Sequence, residues 1–283
     1  MKIKFCLICI FLCVTSLIKA QPSLTLIEQA KQKELLGLHF EASILFDRVL
    51  FEENLENTFV IESIFGKVRC LKKMKLFVQA NNFIKANINL LKSDSLKYQL
   101  QEDWILNSYL TNQLDECISI IEQTKLLYPS IYNKNWLLPL HILCLNEQRK
   151  WLQAKQVCLE WYRENKFDTT TIVQLYSKIP KLKSEDKAAW LSTFIPGAGQ
   201  LYAGKPFEAL ASIIIQGAGI YYGVISFQDK YYLSSILIGG GIFGSFHFGG
   251  VRRSEELVRQ YNLKKSTSFN VQLRKILLQQ IGK

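Results

Sequence analysis

A chain of 283 residues, 48% of them hydrophobic and with a formal net charge of +11, has room for two modest domains. The charge does not mark a nucleic-acid binder. Residues 252–283 hold Arg252, Arg253, Arg259, Lys264, Lys265, Arg274, Lys275 and Lys283 against only Glu255 and Glu256, with one Tyr and one Phe, too few aromatics for a base-stacking platform.

In chain order, residues 1–20 read as a signal peptide. Lys2 and Lys4 precede the apolar run Phe5 to Ile18, and Ala20 supplies the small residue before the cut. Cys6, Cys9 and Cys13 leave with that segment. Without Lys2, Lys4 and Lys19 the net charge falls from +11 to +8, and the tail carries most of it. Cys70, Cys117, Cys144 and Cys158 remain. An even count in an exported chain permits disulfides, while the apolar helical surroundings of each suit buried thiols, the preferred reading.

Residues 21–183 read as helix after helix, with apolar residues three and four apart and only Gly37, Gly66, Pro129, Pro139 and Pro180 as punctuation from residue 23 on. A small residue marks a register of about 37: Ala42, Ala80, Cys117 and Ala154. Three positions earlier stand His39, Phe77, Leu114 and Trp151, and four positions later Phe46, Ile84, Ile121 and Cys158. Five before the mark stand Gly37, Lys75, Asn112 and Arg149, suited to a turn or its edges. A period of this length is the signature of stacked helical hairpins. The Gly37, Ala42 and Phe46 spacing, with Pro129 twelve residues after Cys117, resembles the tetratricopeptide repeat. The resemblance implies an α-solenoid of about four hairpins that binds a protein partner.

Residues 184–251 change character, holding twelve of the fifteen glycines. Phe207 to Phe227 and Tyr231 to Val251 are two apolar runs, each about 31 Å long as a helix against a hydrocarbon core of about 30 Å. Only Gln228, Asp229 and Lys230 separate them. The pairs Gly219 with Gly223 and Gly240 with Gly244 are expected to let the two helices pack. Ahead of them, Pro196, Gly197, Gly199, Gln200, Tyr202, Gly204 and Lys205 form an entry motif, with Gln200 and Tyr202 expected to bond backbone groups freed at the break. This motif, the two runs, and Tyr261 with Asn262 resemble a small bacterial two-span membrane domain of unknown function. The likeness covers about residues 186–262 and implies membrane association without a known activity.

Several motifs are discounted. Gly199 to Lys205 spells GxxxxGK, but Pro206 stands where magnesium needs Ser or Thr, and no strand precedes it. Gly239, Gly241 and Gly244 spell GxGxxG inside an apolar run. His39 and His141 sit at packing positions, and Cys and His are not grouped at zinc spacings. Glu208 and His247, ionisable groups near the ends of the runs, can snorkel to headgroups.

The sequence therefore predicts an all-α chain: signal 1–20, helical-hairpin repeat domain (α-solenoid) 21–183, two-helix transmembrane hairpin with its entry motif 184–251, and basic helical tail 252–283. It predicts no enzyme, no cofactor and no metal. Its partners are expected to be membrane lipid, an envelope protein on the repeat domain and, through the hairpin, a second copy of the chain, with no nucleic acid. The expected location is the bacterial inner membrane with the repeat domain in the periplasm. Two crossings would leave the basic tail on that same side, against the positive-inside preference. A third crossing by 188–204 would satisfy the preference, but Pro196 and the glycines argue against it.

Overall fold

The computed structural model describes residues 22–51 and 57–281, so the predicted signal segment 1–20 lies outside the described residues. Every described element is a helix. The chain divides into two compact units, Met1–Trp161 and Tyr162–Lys283. The division falls inside a helix and ahead of the expected boundary at 183.

In the first unit run α1 (Pro22–Leu35), α2 (His39–Leu50), α3 (Asn57–Lys73), α4 (Phe77–Asn87), α5 (Asp94–Leu110), α6 (Leu114–Leu127), α7 (Lys134–Glu147) and most of α8 (Trp151–Glu164). His39, Phe77, Leu114 and Trp151 are thus the first residues of the even-numbered helices. Gly37, Lys75, Asn112 and Arg149 all take the left-handed conformation, with φ of 76°, 60°, 59° and 62°. Each closes the preceding helix in the same way. Its own N–H donates three residues back and the next N–H donates five back, as in Gly37 to Glu34 and Leu38 to Lys33, or Arg149 to Asn146 and Lys150 to Leu145. Ala42, Ala80, Cys117 and Ala154, one turn into the next helix, are fully buried, and so are Phe46, Ile84 and Cys158, with Ile121 nearly so.

Packing in this unit follows the chain, with consecutive helices from α1 to α7 in contact and α1 also reaching α3. Ala30, Ala42, Phe46 and Cys70 form one cluster. Ile64, Val68, Ile84, Leu91 and Leu100 form the next. A third gathers Tyr98, Ile105, Cys117, Ile121, Leu137 and Cys144. Gly66, in the interior of α3, has a physical reason to be there: a Cβ would strike the Phe46 ring. The cost of a mid-helix glycine, about 1 kcal/mol against alanine, is offset by seating that aromatic side chain.

The second unit holds the end of α8, α9 (Thr170–Ser177), α10 (Glu185–Phe194), α11 (Ala198–Ala203), α12 (Pro206–Gln228) and α13 (Tyr232–Ile281). The last begins with a turn at Tyr232–Ser234 and a π-helical stretch, Ser235–Gly240, before continuing as regular helix over Gly241–Ile281. The sequence divided this stretch at 251. The helix crosses that point unbroken, because no Gly or Pro occurs from 251 to 281 and a single stripe stays buried: Ser254, Leu257, Val258, Asn262, Ser266, Phe269, Leu273 and Leu277. That three-and-four spacing is one helix face. Part of it meets α10 and α11, where Ala188, Ala203, Leu257 and Val258 make a small core with Tyr202. Further along, Phe269 packs edge-on against Tyr176 of α9, ring centroids 5.6 Å apart.

Candidate functional site at the base of the apolar hairpin

The entry motif folds as a knuckle between α10 and α12. Ile195 leaves α10 in an extended conformation ahead of Pro196. Gly197 then turns left-handed at φ 82°, and a Cβ there would lie 2.5 Å from the Ala209 carbonyl oxygen. One turn of helix, α11, follows and is closed by Gly204 at φ 86°. Lys205 N–H then donates to the Gln200 carbonyl at 2.9 Å, and Pro206 takes the first position of α12, where its missing N–H costs nothing. At Gly199 a Cβ would collide with Ser192 Oγ and the Ala188 carbonyl, so only glycine lets α11 lie against α10.

The polar members of the motif bind the surrounding helices. Gln200 is 2% exposed. Its Oε1 accepts from Ser192 Oγ at 3.2 Å and its Nε2 donates to the Gly250 carbonyl of α13 at 3.0 Å. Gly199 N–H donates to Ser192 Oγ at 3.1 Å. Tyr202 Oη accepts the Ser184 N–H, and the Tyr202 carbonyl accepts Lys183 Nζ at 2.8 Å. Lys183 also lies 4.2 Å from the Tyr261 ring centroid. Asn262 pairs with the Lys183 backbone in both directions, accepting its N–H at 2.9 Å and donating to its carbonyl at 2.8 Å. Arg259 adds an ion pair to Glu185 at 3.2 Å. The knuckle is therefore a clasp joining the strap before α10, both apolar helices and the middle of α13.

The same geometry accounts for the discounted GxxxxGK spelling. The Gly199, Leu201, Gly204 and Lys205 N–H groups all donate inside the knuckle. Those four are not left to cradle a phosphate.

Above the knuckle the two apolar helices approach closely, in a register one residue from the predicted one. A Cβ on Gly239 would sit 2.5 Å from Gly223 Cα, and one on Gly219 would sit 3.0 Å from Phe243 N. Gly240 and Gly244, predicted to pack, would meet nothing within 4 Å. The small pair on α13 that faces α12 is Ser235 with Gly239. Ser235 adds a hydrogen bond across this seam, its Oγ donating to the Gly223 carbonyl at 2.7 Å. Lys230, left-handed at φ 64°, makes the turn between the helices.

A cavity of about 440 Å³ opens between α12 and α13 just above the clasp, lined by Gln200, Glu208, Ser212, Ser245, Gly250 and Arg253 among others. Glu208, singled out in the sequence, is held by Arg253 through bonds of 2.8 and 3.1 Å at the cavity edge. Gln216, 2% exposed, donates to Ser212 Oγ at 2.8 Å, and its Oε1 has no hydrogen-bond partner among the described residues. Gly250 borders this polar cluster, a Cβ there coming within ordinary contact of Gln200, Ser212 and Gln216, 3.4 to 3.7 Å away. The sequence did not point to Lys183, Ser192, Ser212, Gln216 or Gly250. The one available signal was the four-residue spacing of Ser212 and Gln216 inside an apolar run. His247 lies elsewhere, stacked on Phe243 with ring centroids 5.4 Å apart.

Among the described residues, no group of three or more His, Cys, Asp or Glu side chains is placed to hold a metal ion. α12 and α13 are long and apolar enough to cross a membrane; α10 and α11, with 10 and 6 residues, are far too short. No family model, curated protein or solved structure matches the chain.

Proposed function

We propose that the chain is a membrane-anchored helical-repeat adaptor of the bacterial cell envelope. Its hairpin, α12 and the first half of α13, holds it in the lipid, and its first unit binds a protein partner. One observation carries the anchor. Only 17% of the most apolar stretch of α12, and 6% of that of α13, is buried. A core helix of a water-soluble protein hides such a surface. Here Phe207, Ile213, Ile214, Ile220, Val224, Leu237 and Phe248 all point outward. Together they make an apolar patch far beyond what a monomer leaves in water, and a bilayer is the medium that accepts it. In this reading the clasp sets the hairpin against the helices that stay in water, with Glu208 and Arg253 near the lipid boundary.

The adaptor role is supported by the shared construction of α2, α4, α6 and α8, each entered through the same left-handed turn and buried at the same two positions. Such units, as tetratricopeptide-like hairpins, bind proteins through surfaces built from successive repeats. A groove of about 550 Å³ over α4, α5 and α6, lined by Lys85, Lys97, Gln101, Trp104, Gln123 and Tyr128, is the surface offered.

A second reading is an accessory of a transport or membrane-insertion complex that acts through an oligomerising hairpin. It is favoured by Gly217, Gly240, Gly241, Gly244 and Gly249, which all face open space and leave room for another span. One experiment separates the two: photo-crosslinking residues placed at Gln123 and at Gly240 of the full chain in its native membrane. The adaptor reading expects a discrete adduct from Gln123. Adducts from Gly240 alone, at the mass of a second copy or another membrane protein, would replace it with the accessory reading.

A further inference from the structure

We propose that Cys117 and Cys144 are a disulfide-forming pair, oxidised by exchange with a small or protein disulfide, while Cys70 and Cys158 remain thiols. Cys117 is the fourth residue of α6 and Cys144 lies on α7; both are fully buried in one cluster. Their sulfurs are 3.3 Å apart, the Cys144 thiol donating to Cys117 Sγ, and the Cys117 thiol lies 3.5 Å from the Ile105 carbonyl. A bridge needs a closure of about 1.3 Å from there, within reach of side-chain rotation and a slight approach of the two helices. Cys70 belongs to a different cluster, with Ala30, Ala42 and Phe46, and burial pushes its thiol up to about 11. Cys158, on α8, is pushed up to about 12 by burial alone.

The step balances as thiol–disulfide exchange. One of the two cysteines, as thiolate, attacks the incoming disulfide and expels one partner thiolate, leaving a mixed disulfide. The second thiolate attacks the protein sulfur of that intermediate, forms the Cys117–Cys144 bond and expels the other partner thiolate. Two protein thiols lose two electrons and two protons, and the partner disulfide becomes two thiols. In the folded chain the reaction is slow, because both sulfurs are covered and the bond to Cys117, together with burial, holds the Cys144 thiol well above its ordinary range. The bridge therefore forms as this part of the chain folds. Once made, it fixes α6 to α7 across the third cluster.

Whether the chain meets such an oxidant rests on the export reading above, and the test keeps the two apart. The full chain, purified in detergent under reducing conditions, is partly unfolded, returned to native buffer with a mixture of reduced and oxidised glutathione, blocked with a maleimide and mapped by mass spectrometry. The expected result is a linked Cys117–Cys144 peptide pair with Cys70 and Cys158 blocked. A melting temperature at least about 5 °C higher in oxidising than in reducing buffer should accompany it. In Cys117→Ser, Cys144 should be blocked and that difference should vanish. All four cysteines blocked, or a bridge to Cys70 or Cys158, would overturn the proposal. A pair that bridges in vitro but is isolated from cells as two thiols upholds the site and counts against export.

Discussion

The left-handed residues at the helix ends show how much single positions contribute. Gly37 adopts φ above zero without cost, but Lys75, Asn112 and Arg149 do so with a Cβ, and all three are exposed. Left-handed backbone costs a residue with a Cβ about 1–2 kcal/mol, partly returned by its lower freedom when unfolded. Lys75→Gly and Arg149→Gly are each expected to stabilise the first unit by about 0.5–1 kcal/mol, read as a higher denaturation midpoint. A lower midpoint would mean that these side chains hold contacts the fold needs. Gly37, and more weakly Asn112, announce the conformation by residue type. A Lys or Arg there is legible just through the shared spacing.

His141 belongs to the same scale. It is 9% exposed, and burial holds its imidazole below the ordinary 6.5, with Lys125 adding to the effect and Glu122 and Glu160 opposing it. The unfolded chain therefore takes up this proton at a higher pH than the folded one. The stability owed to the neutral ring is present above about pH 6.5 and is lost as pH falls through and below that value. Denaturation at about pH 7.5 and about pH 5.5 should show the full chain weaker at the lower value, and His141→Leu should flatten the difference. An equal loss in the variant would assign the effect to other groups.

At the scale of elements, the apolar hairpin shows what spacing can and cannot convey. Two runs of helix-spanning length and a three-residue turn were legible, because hydrophobicity and length are properties of a segment. The packing seam was not. Gly239, Gly240 and Gly241 are consecutive, and which of them meets Gly219 and Gly223 depends on the rotation of α13, which the π-helical stretch and the Ser235 hydroxyl help to set. Gly239→Leu is expected to separate the helices and cost about 1–3 kcal/mol, whereas Gly240→Leu should pack as the native chain does. Cysteines introduced at Ile220 and Phe243, which line the same groove, report this: their cross-link, mapped by mass spectrometry, should fall in the first variant and persist in the second. The reverse pattern would restore the Gly240 and Gly244 seam. The clasp was partly legible for a similar reason. Gly197, Gly199 and Gly204 stood out by type, while Ser192 and Lys183 act through contacts with residues up to 79 positions away.

For the whole molecule, the two units carry different surfaces. The first builds small buried clusters from neighbouring helices, a local pattern that helical periodicity can express, and its exposed apolar side chains, such as Leu35, Phe51 and Leu126, are scattered along the chain rather than gathered in one run. The second leaves long apolar faces of α12 and the first half of α13 outward while burying the polar side chains of Gln200, Ser212, Gln216 and Asn262. That contrast is what the anchored reading expects of a chain passing from water into lipid. In the anchored reading proposed above, the unbroken α13 lets one helix join the apolar hairpin to the clasp. The most direct test of anchoring is labelling the full chain in its native membranes with an apolar, light-activated carbene reagent, after alkaline carbonate extraction. The chain is expected to stay with the membrane and label to map to α12 and to residues 232–251, with α1 to α7 unlabelled. Release into the carbonate supernatant, or label spread evenly over both units, would contradict it.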